Sequence, residues 1–409
     1  LRVGIVVPHI FMHREILPGV IFSPAQLALD LASGLERLGT DVTLFSPGPV
    51  DTPAKNITAD LSYFQNELRL RGDTYLDLLK KHPFTFITLA RQVQGELIAQ
   101  AFAMANRGEL DIVHIYTNEE DTALPFASLC KKPVVFTHHD PFNFLVKYKN
   151  VFPKYKQLNW ISVSMAQRAG MPPDTNWVGN VYHGIPSDLF APSYQPNHQH
   201  DGQPEADGYV AYLGRIIEPK GVHLAIEAVK LYNETTGKNG KKLRLKIAGK
   251  HYSGHKKDTY WQERVQPLLG GEIEYVDFIG DITAKQTFLA GARALIIPSL
   301  FEEPFGMVMI EALACGTPIV GLDSGAIGEV VRPAKTGVLV TKTFQSPQLA
   351  MSGQGNQLNE PATVQALAEA IPEVLELDRH ACRTDFETRF TSDRMCREYL
   401  EVYKNVVTE

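Results

Sequence analysis

The feature that most constrains this chain is a pattern that runs twice. Short apolar runs rich in Val and Ile alternate with longer segments of helical period. In the first pass the runs are "VGIVVP" from Val3, "DVTLFS", "DIVHIY", "KPVVFTHHD", "WISVS" and "VGNVYHGI". In the second they are "YVAYLG" from Tyr209, "LRLKIAG", "IEYVDFIG", "ALIIPS" and "TPIVGL". Short β-rich runs that alternate with helical segments argue for parallel sheets covered on both faces. The segments between them carry the helical spacing. "SPAQLALDLASGLERLG" places Leu27, Leu31 and Leu35 on one face after a Ser23-Pro24 start signal, and "GVHLAIEAVKLYNE", "AKQTFLAGA" and "GMVMIEALACG" follow in the second pass. A long helical region is expected between about Asp60 and Gly108.

Each pass is therefore expected to fold as a doubly wound α/β domain, with ligands outside the carboxyl ends of its strands. Two such domains would face a cleft. The stretch "FAPSYQPNHQHDGQPEADG", from Phe190, is polar and rich in Pro and Gly, and marks a boundary. The expected division is 1–189, a linker at 190–207, a second domain at 208–376, and terminal helices at 377–409. "FQSPQLAMSGQGNQLNEP", from Phe344, reads as an exposed loop. In the last segment Met395, Tyr399, Tyr403 and Val406 form an apolar stripe.

Composition removes several classes. A net charge of −6 does not favour a nucleic-acid partner. Four cysteines in 409 residues, none in a C-x-x-C pair, do not make a disulfide framework and suit a reducing cytoplasm. The opening run is too short for a leader and reads as a first strand. No apolar stretch is long enough to span a bilayer.

The motifs fall where strands end. In "YLGRIIEPKG" the cations Arg215 and Lys220 lie between a strand and a helix start, the ingredients of a diphosphate site. A solvated basic loop is the plain alternative. There is no G-x-G-x-x-G, which disfavours a nicotinamide or flavin dinucleotide. In "FEEPFGMVMIEALACG" Glu303 precedes Gly306 at a helix start, and Glu311 lies on the helix. Were 303–311 wholly helical, their backbones would be roughly 12 Å apart. That suits two hydroxyl-bearing ends of one long ligand better than a glycosidase acid–base pair. Acids that merely complement the helix dipole are the alternative. "VVFTHHD" delivers His138 and His139 to opposite faces of one strand, so the two should not share a metal. His251 and His255 sit in a Gly/Ser loop with no further ligand in view. Gly19, just before the first helix, would allow close backbone approach to a phosphate or sugar, or would serve only as a turn. "KYKNVFPKYKQLNW" mixes cations and aromatics, either for an anionic membrane surface or as a solvated face with snorkelling lysines.

Taken together these motifs resemble the retaining nucleotide-sugar glycosyltransferases of family 4, which have the GT-B fold. The E-x7-E pattern is Glu303 and Glu311. "GRIIEPKG", "GAIGEVV", "TGVLV", "DIVHIY", "PVVFTHHD", "VYHGIP" and "RFTSDRMCREYLEVY" occur in the family's order over almost the whole chain. The resemblance implies that Arg215 and Lys220 hold the donor diphosphate and stabilise the leaving nucleotide. It implies that Glu303 contacts the transferred sugar, that backbone at Phe305, Gly306 and Met307 approaches sugar and phosphate, and that Glu311 holds the ribose hydroxyls. His139 would lie near the sugar's reactive face, Gly19 near the donor, and the last helix would cross back to the N-terminal domain. The implied enzyme is a metal-independent hexosyltransferase with no cofactor and a nucleotide-sugar as co-substrate, with a UDP-sugar as the first expectation. Its acceptor would be a glycan, a lipid or a small molecule. It would be cytoplasmic, with a peripheral place at the inner membrane face as a weaker expectation. Two departures stand out. The first loop is "LPGVIFSP", where many relatives carry more glycines, and "YHGIP" replaces the common "NGVD". The rival readings are a phosphorylase of the same fold using inorganic phosphate, a glycoside hydrolase using the two glutamates, and a donor-binding protein without turnover.

Overall fold

The structure, a computed structural model, describes residues 1–17, 22–116, 120–193, 208–235, 242–251, 258–345 and 357–408. It divides into two compact units, Leu1–Gly184 with Ser392–Glu409, and Ile185–Thr391.

The first unit is built on a seven-stranded parallel sheet. Its strands are β1 (Arg2–Val6), β2 (Asp41–Ser46), β3 (Lys55–Thr58), β4 (Ile112–Tyr116), β5 (Val134–Thr137), β6 (Asn159–Ser162) and β7 (Trp177–Asn180). Their order is β3-β2-β1-β4-β5-β6-β7. The apolar runs become central strands because both their faces are covered: Val3, Ile5, Val6, Val113 and Ile115 are fully buried. β3 has no such run. "KNIT" is half polar and half exposed, as an edge strand can be, and so it leaves no trace in the hydrophobic pattern.

The long helical region resolves into Ser62–Arg71, Tyr75–Lys81 and Pro83–Asn106. The first stops at Gly72, in the left-handed conformation, the second begins with a capping box between Thr74 and Asp77, and Pro83 opens the third. The helix Ser23–Arg37 buries Leu27, Leu31 and Leu35 and packs against the terminal helix Ser392–Thr408. That terminal helix seats Met395, Tyr399 and Tyr403 in the same unit with no exposure. Tyr403 reaches His114 of β4, oxygen to Nδ1 at 2.7 Å, and Thr137 of β5 meets the other ring nitrogen at 2.8 Å.

The second unit repeats the design with six parallel strands, β8 (Tyr209–Leu213), β9 (Arg244–Ala248), β10 (Ile273–Tyr275), β11 (Ala292–Ile297), β12 (Ile319–Leu322) and β13 (Gly337–Val340). Their order is β10-β9-β8-β11-β12-β13. In both sheets the strand order thus reverses beside the first strand, between β1 and β4 and between β8 and β11, and a crevice at that switch point is where such folds place ligands. The helix Met307–Ala314 ends as its sequence suggested. Gly316 is left-handed, its N–H bonds Leu313 O at 2.9 Å, and Thr317 N–H reaches back to Ala312 O at 2.8 Å.

The unit boundaries differ from the expected 189, 208 and 376. Residues 185–193 and 377–391 belong to the second unit because they are bonded into it. Ile185 N–H donates to Phe390 O, Phe190 is buried, and Arg383 donates to Phe190 O, Ser187 O and Ala314 O. Arg379 anchors its helix, Arg379–Arg389, on the carbonyls of Ala290 and Ala292. Of the two terminal helices only Ser392–Thr408 returns to the first unit. Most of the expected 190–207 linker, at 194–207, and most of the expected 344–361 loop, at 346–356, lie outside the described residues. Among those described, no helix is long and apolar enough to cross a membrane.

Candidate active site

In the second unit two loops meet at the sheet's switch point, one following β8 and one following β11. Pro219 O accepts hydrogen bonds from both Leu300 N–H at 2.9 Å and Phe301 N–H at 3.0 Å, which staples the loops together. Gly221 makes this approach possible. Its φ is +68°, and a Cβ there would sit 2.1 Å from Pro298 O. The consequence is a side-chain contact across 83 residues of sequence: Lys220 Nζ lies 2.5 Å from Glu303 Oε1. Ser299 Oγ donates to the same oxygen at 2.8 Å, and the Lys220 ammonium lies 4.9 Å from the Phe301 ring centre.

A third loop, after β12, closes on Glu303 from the other side. Gly325 has φ +59°, and its place could hold no Cβ, because the Glu303 backbone is 2.4 Å away. Ala326 N–H donates to Glu303 O at 2.8 Å. Beside it, Lys342 Nζ reaches Ser324 Oγ at 2.6 Å, Glu302 Oε1 at 3.0 Å and Leu300 O at 3.3 Å. Glu303 is thus held through backbone and carboxylate alike, with 9% of its surface exposed.

The second glutamate has its own cation. Glu311 is 8% exposed, and Oε1 is 2.8 Å from Lys285 Nζ, on the helix Ile282–Ala290. Its other oxygen, Oε2, is buried and accepts no hydrogen bond among the described residues. A buried carboxylate oxygen without a donor is costly and marks a place for one. Between the two glutamates, Gly306 stands in the left-handed region at φ +93° as the N-cap of Met307–Ala314. The segment 303–306 is therefore not helical, and the spacing reckoned for a continuous helix does not apply. Met307 supplies the first turn, where backbone N–H groups lack intrahelical acceptors and favour an anion. The Phe305 side chain is buried, its ring 6.0 Å from that of Phe390, so a ligand would meet its backbone and not its ring. Arg215 is exposed in the same loop as Lys220, and its carbonyl accepts from Tyr212 O–H at 2.9 Å.

The remaining sequence candidates lie on other segments of the chain. His139 belongs to the first unit, stacked on His183 with ring centres 5.2 Å apart and edge-on to Tyr116 at 4.6 Å. Burial holds His139 well below the usual imidazole range and His183 down to about 3, so both are neutral near pH 7. His138 points the other way, among Phe142, Tyr148 and Phe152, as strand alternation requires. Gly19 and His255 lie outside the described residues. His251 stacks on Trp261 at 4.3 Å and meets Asp258 at 3.1 Å. Among the described residues no group of three His, Cys, Asp or Glu side chains converges as a metal site would require.

Sequence reasoning missed Lys285, Ser299, Gly325 and Lys342. Ser299 closes the "ALIIPS" run and Gly325 opens "GAIGEVV", so both lay in segments already singled out. Lys285 lay in "AKQTFLAGA", read only as a helix, and Lys342 is a single cation between Thr341 and Thr343, so nothing in the chain marks either as part of a site.

Residues 194–352, less than half of the chain, match the family model described as Glycosyl transferases group 1. The phosphatidyl-myo-inositol mannosyltransferase of Mycobacterium leprae is 26% identical over 243 residues, which is 57% of this chain, and the chain spans only 60% of that protein's length. Among solved structures, a sucrose-phosphate synthase from Thermosynechococcus elongatus superposes with a TM-score of 0.65 at 17% identity, covering 100% of this chain and 99% of its own. The Anabaena protein HepE, in complex with UDP and glucose, superposes with a TM-score of 0.61 at 17% identity, covering 98% of each chain. At that identity the likeness establishes the fold, two Rossmann-like units with parallel sheets, as in GT-B glycosyltransferases.

Proposed function

We propose that the chain is a retaining, metal-independent glycosyltransferase that moves a hexose from a nucleoside diphosphate sugar, with a UDP-sugar as the first donor to test, to an acceptor hydroxyl. The observation that carries the reading is the pair of buried, lysine-compensated carboxylates on either side of a helix N-terminus, one of them with an oxygen that lacks a donor. Arg215, Lys220 and the first turn at Met307 receive the diphosphate, Glu303 the sugar hydroxyls and Glu311 the ribose. The bond from the anomeric carbon to the diphosphate oxygen breaks, and the acceptor oxygen bonds that carbon from the same face. The acceptor's proton passes to the departing diphosphate. The cations stabilise the charge that grows on the leaving group, which is electrostatic catalysis. The match to the group 1 family and the likeness to a fold solved with UDP and glucose support the donor class.

The glycoside hydrolase reading loses ground, because both glutamates are salt-bridged alike and neither is set apart as the proton donor. The test is a calorimetric or thermal-shift titration with UDP, GDP, ADP and phosphate, followed by turnover of the matching nucleotide-sugars against an acceptor panel. A ligand that binds the native state raises the midpoint by mass action. One nucleoside diphosphate is expected to shift the midpoint and its sugar to be consumed. A response to phosphate alone would replace this reading with a phosphorylase, and donor binding without turnover with a binding protein.

A further inference from the structure

We infer that Lys285 is a positioning residue for Glu311, and that this pair makes the site select a neutral hydroxyl donor, so that a ribonucleoside diphosphate binds in preference to a deoxy counterpart. The inference rests on the reading above, in which Glu311 receives the ribose. Glu311 presents two chemically different oxygens. Oε1 is held by the Lys285 ammonium at 2.8 Å, and Oε2 is buried and accepts nothing among the described residues. The negative charge is therefore already compensated. A second cation at Oε2 would leave a net positive charge in a buried place, whereas a hydroxyl supplies the missing donor and adds no charge.

Lys285 is itself fixed. Its helix is capped by Asp281, whose carboxylate accepts from Ala284 N–H at 2.7 Å, and its ammonium stands 5.7 Å from the Phe190 ring centre. Pinning one oxygen in this way sets the carboxylate's rotation and so aims the other. Without the ammonium, Glu311 is a buried anion with no partner on either oxygen. It then turns or binds a proton, and the directed acceptor is lost.

The experiment measures dissociation constants of UDP, GDP and ADP, and of their 2′-deoxy and 3′-deoxy counterparts, on the wild type, K285M, E311Q and the double variant. The wild type is expected to bind one ribonucleotide about tenfold or more tighter than at least one of its deoxy forms, as a hydrogen bond to a charged acceptor requires. K285M should lower that ratio to about threefold or less while the deoxy form still binds. In the E311Q background K285M should change the ratio no further, because the two residues act as one. A folded K285M that keeps the wild-type ratio overturns the inference while leaving the reading of Glu311 intact. A wild type that binds ribose and deoxyribose forms equally, or binds no diphosphate, overturns the reading of Glu311 and the inference with it. Should K285M fail to fold, K285L, which likewise has no donor, serves in its place with the same expected loss and the same refutation.

Discussion

Lowering the pH from 7.5 to 5.0 should destabilise the first unit through histidines held below their usual range, among them His114, His183 and His9, with His139 adding in the same direction. His114 is fully buried between Tyr403 and Thr137, and burial pushes it down to about 3. His183 is pushed to about 3 and His9 to about 4, again chiefly by burial. In the unfolded chain each returns to about 6.5. A folded-state value below the unfolded one means that the unfolded chain binds more protons as the pH falls. The stability these residues allow is therefore complete above pH 6.5 and is lost progressively between 6.5 and the folded values near 3 and 4. At pH 5.0 the loss is about 2 kcal/mol for each histidine, or about 6 kcal/mol for the three. That is a large part of the 5–15 kcal/mol a domain has, and for a unit of this size it lowers Tm by roughly 10–25 °C. Thermal unfolding followed by tryptophan fluorescence reads it, since Trp160 and Trp177 lie in the first unit and Trp261 in the second. In His114→Gln, which keeps hydrogen-bonding groups but does not titrate, the stability lost between pH 7.5 and 5.0 should shrink by about 2 kcal/mol. A wild-type Tm that stays level over this range, or a variant that falls as steeply as the wild type, would refute the argument.

Other outcomes follow from the second unit. Glu303→Ala and Lys220→Ala should each abolish transfer, and Glu311→Ala should mainly weaken donor binding; wild-type turnover in all three would sink the site assignment. Gly221→Ala should cost about 2 kcal/mol or more, because the new Cβ meets Pro298 O in a left-handed backbone, and an unchanged denaturation midpoint would contradict that. EDTA should leave the transfer rate unchanged, and a rate lost to EDTA and restored by one specific cation would overturn the metal-free reading.

What the sequence determined by itself is local and periodic. Short apolar runs such as "VGIVVP" and "ALIIPS", bounded by turn signals and alternating with helical segments, read as buried strands, and their repetition set the two parallel sheets. The stripe Met395, Tyr399, Tyr403 and Val406 disclosed a buried helix face, and Gly316 its neighbouring helix stop, because each depends on residues a few positions apart. The residues at strand ends, Arg215, Lys220, Glu303 and Glu311, were visible for the same reason. Strand β3 was not, since an exposed edge imposes no hydrophobic pattern. Nor was the attachment of Arg379–Arg389 to the second unit, which depends on carbonyls of Ala290 and Ala292 nearly ninety residues away. Only the tertiary structure paired Lys220 with Glu303 and Lys285 with Glu311. Charge in a sequence carries no address. Which cation compensates which carboxylate is decided by backbone staples such as Pro219 to Leu300 and Phe301, and by the glycines that let those loops touch.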